Sequence, residues 1–103
     1  MSSERLRTAE VEALLAALGV LSSDDERYAF LVDIATIREI QDIAQRLAVA
    51  RLLDAGEHYT RIQESTGASS TTISRVSRSL NYGEGGYRTV IDRLGPAAEG
   101  GDV

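Results

Sequence analysis

At 103 residues and without cysteine, the chain has room for one small domain and offers neither a disulfide nor a thiolate metal site. Its charged start, MSSERLRTAE, runs into no long apolar stretch, so no signal peptide or membrane span is expected and the protein reads as cytoplasmic. The net charge of −5 argues against a uniformly basic surface, but the charge is uneven: residues 1–58 hold six Arg against eleven acids, residues 59–93 five Arg against three acids, and the last ten residues two acids.

Residues 1–7 are expected to be flexible, and the domain to run over 8–94. From Thr8, a cap residue, the apolar positions Val11, Leu14, Leu15 and Leu18 form one stripe of an amphipathic helix that Gly19 stops. Ser23 and Glu26 make a capping box for a second helix, with acids in its first turn and Tyr28, Leu31 and Val32 expected to point inward. Thr36 and Glu39 make another box. The helix they open is expected to end at Gly56, and it is apolar over more than one stripe: Ile37, Ile40, Ile43, Ala44, Leu47, Val49, Ala50, Leu52 and Leu53. Such a helix is enclosed by neighbours on several sides, and a second subunit is the favoured source.

The stretch TRIQESTGASSTTISRVSRSLNYG, Thr60 to Gly83, reads as two short helices joined by a tight turn. Thr60 with Gln63 suggests a capping box, Ile62 continues the apolar side, and Gly67 ends the first helix. Ser69 or Ser70 caps the next helix, whose buried side is Ile73, Val76 and Leu80. Thr71, Thr72, Ser74, Arg75 and Arg78 fall away from that side, giving a face of hydroxyls and guanidinium groups without an acid. A buried seam, a tight turn and a polar basic face are the parts of a helix-turn-helix. The sole histidine, His58, has no Cys or second His near it and is expected at the surface or in the linker.

Gly83, Gly85 and Gly86 stop the second of these helices, and they lack the strand and the Lys-Ser/Thr that would make a phosphate loop. Tyr87, Val90, Ile91 and Leu94 form a last amphipathic helix ended by Gly95 and Pro96, and 95–103 is expected to be a disordered tail. With no strand pattern, the fold is expected to be all-α with about six helices.

The pattern from Ala68 to Tyr87, together with REIQDIAQRLAVARLLDAG before it, resembles the Trp-repressor superfamily and within it the YerC/YecD-type, TrpR-related branch. The resemblance runs from roughly Leu18 to Leu94. It implies an intertwined, all-helical homodimer in which each subunit presents one helix-turn-helix. It also implies an effector site: Arg46 and Arg75 match two arginines that hold tryptophan in the repressor, and Thr36 and Ser79 match other lining positions. Val76 stands where the repressor has a glycine against the indole. Its side chain takes up room that the ring needs, so tryptophan is disfavoured, and a different small co-repressor, or none, is expected.

The function expected is that of a dimeric, sequence-specific DNA-binding transcriptional regulator, a repressor, with residues of about 70–80 entering the major groove of a palindromic operator. Thr60, Arg61 and Gln63 are expected at the DNA backbone. Ser69, Ser70, Thr71, Thr72 and Ser74 are assigned to the same interface, with Ser70, Thr71 and Ser74 at base edges. Arg75 and Arg78 are expected at phosphates or guanine edges. The alternative is a protein-interaction module of the same fold that does not bind DNA. Enzymatic function is not expected, since no nucleophile stands beside a histidine and no carboxylate pair sits in a recognisable cleft motif.

Overall fold

The computed structural model describes residues 3–96. A 3₁₀ turn at Ser3–Leu6 is followed by six α-helices: α1 (Ala9–Gly19), α2 (Asp24–Ile34), α3 (Ile37–Asp54), α4 (Tyr59–Thr66), α5 (Ser70–Tyr82) and α6 (Gly86–Leu94). The described residues contain no strand. The chain forms two compact units, Met1–Ile40 and Gln41–Val103.

In the first unit the helix starts are the ones that the cap residues specify. Thr8 Oγ1 accepts the Val11 N–H at 3.2 Å, and Ser23 Oγ accepts the Glu26 N–H at 3.1 Å. The Glu26 carboxylate accepts from the Ser22 N–H at 2.8 Å, and this bond, before any other contact, holds its pKa below the ordinary carboxylate value. At α3 the box closes on itself: Thr36 Oγ1 accepts from Glu39 N–H at 3.0 Å, and the Glu39 carboxylate accepts from Thr36 N–H at 2.8 Å. Burial departs from the sequence expectation. None of residues 5–40 is buried, and the side chains expected to face inward, among them Leu14, Leu15, Leu18, Tyr28, Leu31 and Val32, are 39–69% exposed. The stripes are helical, but this chain alone does not cover them.

The core lies wholly in the second unit. Val49 and Ala50 of α3, Ile62 of α4, Ala68 of the turn, Ile73 and Val76 of α5 and Ile91 of α6 form one buried cluster, flanked by Leu52, Leu53, Leu80 and Tyr87. α3 ends at Asp54 rather than at Gly56. Gly56 N–H then bonds to Leu53 O and Glu57 N–H to Leu52 O, which satisfies carbonyls that the helix end leaves free. Polar ties fix α6 to the same helix: Arg88 Nη2 donates to Asp54 Oδ1 at 2.6 Å while its Nη1 reaches Asp92 Oδ1 at 3.2 Å, and Arg51 Nη2 donates to the Gly95 carbonyl at 3.2 Å.

α5 runs to Tyr82, past Leu80, and stops where a side chain no longer fits. Gly83 donates its N–H to Ser79 O at 2.9 Å, and a Cβ on Gly83 would collide with that same carbonyl. Gly83→Ala is therefore expected to lower stability by roughly 1–3 kcal/mol, as an overpacked site does. Gly19→Ala, at a helical position where an added Cβ meets nothing within 4 Å, is expected to raise it by about 0.5 kcal/mol. Urea unfolding of the two variants beside the parent chain measures both.

Candidate nucleic-acid interface

The geometry of the α4–turn–α5 pair follows from three local choices. α4 starts two residues earlier than a Thr60 cap would set: His58 is the N-cap, in extended backbone and without a side-chain cap bond, and Ile62 N–H reaches His58 O at 3.0 Å. Thr60 and Gln63 therefore lie inside the helix and make no capping box. The opposite end is as expected. Gly67 takes the left-handed conformation at φ 74° and returns its N–H to Gln63 O, which turns the chain within three residues. Ser69, not Ser70, caps α5. Its Oγ accepts the Thr72 N–H at 3.1 Å and lies 3.1 Å from the Thr72 hydroxyl.

α5 then divides lengthwise. Ile73 and Val76 are buried, at 0% and 2% exposure, and Leu80 is half-buried. On the other side Ser70, Thr71, Ser74, Arg75 and Arg78 line one groove of about 430 Å³. Their spacing of one, three and four residues puts them on a single helical face. Neither arginine bonds or pairs with another described residue, so both guanidinium groups point to solvent with their donors unused. No acid lines this groove. Arg88, by contrast, is spent on Asp54 and Asp92, so it adds nothing to this face.

The expected contact residues thus separate. Ser70, Thr71, Ser74, Arg75 and Arg78 come together. Ser69 and Thr72 bond to each other, and Thr72 is half-buried, so their hydroxyls are occupied in holding the start of the helix. Thr60, Arg61 and Gln63 are exposed on α4. Of the expected effector-binding residues, Arg75 lines the groove, Ser79 is exposed one turn further along α5, and Arg46 is exposed on α3 without a hydrogen bond or ion pair to a described residue. Thr36 is occupied as the cap of α3. Val76 faces the core and fills it. Sequence reasoning missed Gln45: its Nε2 donates to the Thr66 carbonyl at 3.0 Å, across 21 residues. A polar residue in an apolar helix was the one available signal.

Among the described residues there is no group of three or more potential metal ligands, and no helix is long and apolar enough to cross a membrane.

Comparison with known proteins places this geometry. The family model described as Trp repressor protein matches residues 9–95. The chain is 46% identical over 94 residues to the uncharacterized protein YerC of Bacillus subtilis (strain 168), covering 91% of this chain and 90% of that one. Among solved structures, a candidate Trp repressor from Staphylococcus aureus superposes with a TM-score of 0.86 at 41% identity, over 91% of this chain and 94% of that one. A TrpR-like protein from Eubacterium eligens ATCC 27750 gives a TM-score of 0.86 at 48% identity, over 89% and 95%.

The cap at Ser69 generates a test that separates folding from surface chemistry. Ser69→Ala is expected to cost about 1 kcal/mol in urea unfolding, whereas Ser69→Asp, which keeps an acceptor for Thr72 N–H and suits the helix dipole, is expected to stay within about 0.5 kcal/mol of the parent.

Proposed function

The chain belongs to the Trp repressor family, and on that premise we propose that it is a homodimeric, sequence-specific DNA-binding regulator that acts as a repressor. The family is one of DNA-binding regulators and not of enzymes, and the fold is the all-helical one of TrpR-like structures. The observation that carries the finer reading is the acid-free groove on α5, where three hydroxyl side chains and two unpaired guanidinium groups share one exposed helical face. An α-helix with its side chains is about 10–12 Å across and fits the major groove, about 12 Å wide. Ser70, Thr71 and Ser74 carry hydroxyls that can donate to and accept from base edges, directly or through water. Arg75 and Arg78 supply forked donors for phosphate oxygens or for guanine O6 and N7. Thr60, Arg61 and Gln63, exposed near the start of α4, are placed at the sugar-phosphate backbone.

The homodimer rests on a different observation. Among the described residues of the first unit no side chain is buried, and Ile37 and Ile43 of α3 are more than half exposed. Leu14, Leu15, Leu18, Val20, Leu31, Val32 and Ile34 leave further apolar surface exposed. A second copy of the chain covers it and brings two α5 helices to half-sites about 34 Å apart on a palindromic operator.

The effector reading is narrower. Val76 occupies core space, so an indole has no room against α5 at that position. A small ligand of another shape that uses Arg46, Arg75 and Ser79, or no ligand, is the reading we favour.

Selection of bound duplexes from a random pool, read at two salt concentrations, tests the proposal. A palindromic consensus with half-sites one helical turn apart is the expected result. No binding at either salt concentration sinks it and leaves a protein-interaction module, a reading that the net charge of −5 favours. Arg78→Ala is expected to weaken operator binding and to reduce the slope of log affinity against log salt by about 1. Thr71→Ala is expected to shift which sequences are selected while leaving that slope unchanged. Sedimentation of the purified chain checks the dimer, and a monomer at micromolar concentration overturns it.

A further inference from the structure

We propose that Gln45 is a positioning residue for α5: through the carbonyl of Thr66 it fixes the angle at which the groove-lining face is presented. The inference rests on the DNA-binding reading above for its consequence, but not for its geometry.

Thr66 is the last residue of α4, so its carbonyl is one of those that a helix terminus leaves without an intrahelical donor. Gln45 Nε2 supplies that donor at 3.0 Å in a part-buried setting. The Thr66 hydroxyl works in the opposite direction along the chain. It donates to Ile62 O at 2.7 Å and accepts the Ala68 N–H at 3.1 Å, one residue before the cap of α5. A continuous run of hydrogen bonds therefore leads from α3 through the end of α4 to the entry of α5. Gly67, in its left-handed conformation, leaves this turn no slack elsewhere, because its own N–H is held by Gln63 O at 2.9 Å.

The position of Gln45 on α3 explains why such a bond is needed. Val49, one helical turn further on, sits at 0% exposure in the cluster with Ile62 and Ile73. Apolar contact is non-directional and tolerates a swivel of the helix pair about that seat. A short hydrogen bond has a preferred line, and one placed about 6 Å away along α3 removes the swivel. The polar ties at the far end of α3 do other work: Asp54 goes to Arg88 of α6, and Arg51 to Gly95 after it. Gln45 thus links the long helix to the reading pair itself.

The test compares Gln45→Met, which keeps the length of the side chain and loses the donor, with Gln45→Lys, which keeps a donor of similar reach. Two readouts are taken. In amide exchange, the protection of residues 67–70 is expected to fall in the Met variant and to be retained in the Lys variant. In DNA binding, the Met variant is expected to lose about tenfold in affinity for the selected operator, the worth of one directed hydrogen bond, with no change on unrelated duplex. It is also expected to discriminate less against an operator with one base pair inserted between its half-sites, and the Lys variant to restore that discrimination. Equal losses on operator and unrelated duplex, or wild-type discrimination in the Met variant, overturn the positioning role. If the parent chain binds no duplex, the DNA-binding reading has failed, and the exchange data still decide on the latch: unchanged protection in the Met variant refutes it. Should the Met variant fail to fold, Gln45→Asn, which keeps the amide but falls one methylene short, is read in the same way.

Discussion

The structure of the second unit depends on the burial of one narrow seam. Ile73 and Val76 share one cluster with Val49, Ala50 and Ile62 because the chain turns between α4 and α5 at Gly67, in the left-handed conformation that glycine adopts without steric cost. Once the seam is seated, everything on the opposite side of α5 is committed to solvent. The hydroxyl and guanidinium groups gather in one groove because the apolar groups have taken the other half of the helix. The groove is thus a by-product of packing that the sequence has furnished with donors.

Apolar and polar interactions divide the work. Burial supplies most of the free energy, at about 25 cal/mol per Å² of apolar surface, but it does not set angles. The angles come from bonds at helix ends: Ser69 to Thr72, Thr66 to Ala68, Gln45 to Thr66, and the Arg88 fork between Asp54 and Asp92. Each of these satisfies a group that a helix terminus would otherwise leave open, or joins two elements that touch only through side chains. The exposed ion pairs contribute little stability by themselves. Their effect is to choose one arrangement among several of similar burial.

Much of this was legible in the residues, and the exceptions are instructive. Thr8, Ser23, Thr36 and Ser69 announce their helices because a short side-chain acceptor beside an apolar period has few other uses. The same rule misplaced the start of α4, where His58 caps with its backbone alone and Thr60 is an ordinary first-turn residue. The groove was legible because Arg75 and Arg78 share a face that the buried residues exclude. The stripes on α1 and α2 were read correctly as helical, but an apolar stripe states only that a cover is needed and not which chain provides it. Gln45 was legible only as a polar residue in an apolar helix, since periodicity carries no information about a carbonyl 21 positions away.

The distribution of charge has a consequence for how the molecule travels. A particle of net charge −5 is repelled by a polyanion at long range, yet Arg75 and Arg78 stand unpaired on one ridge. The surrounding ions screen both effects over about 8 Å at physiological ionic strength, so attraction by that ridge is felt only at close range. In the proposed DNA-binding role, selectivity would begin before contact, as a filter on approach that spares the chain the long residence on arbitrary duplex that a uniformly basic protein suffers.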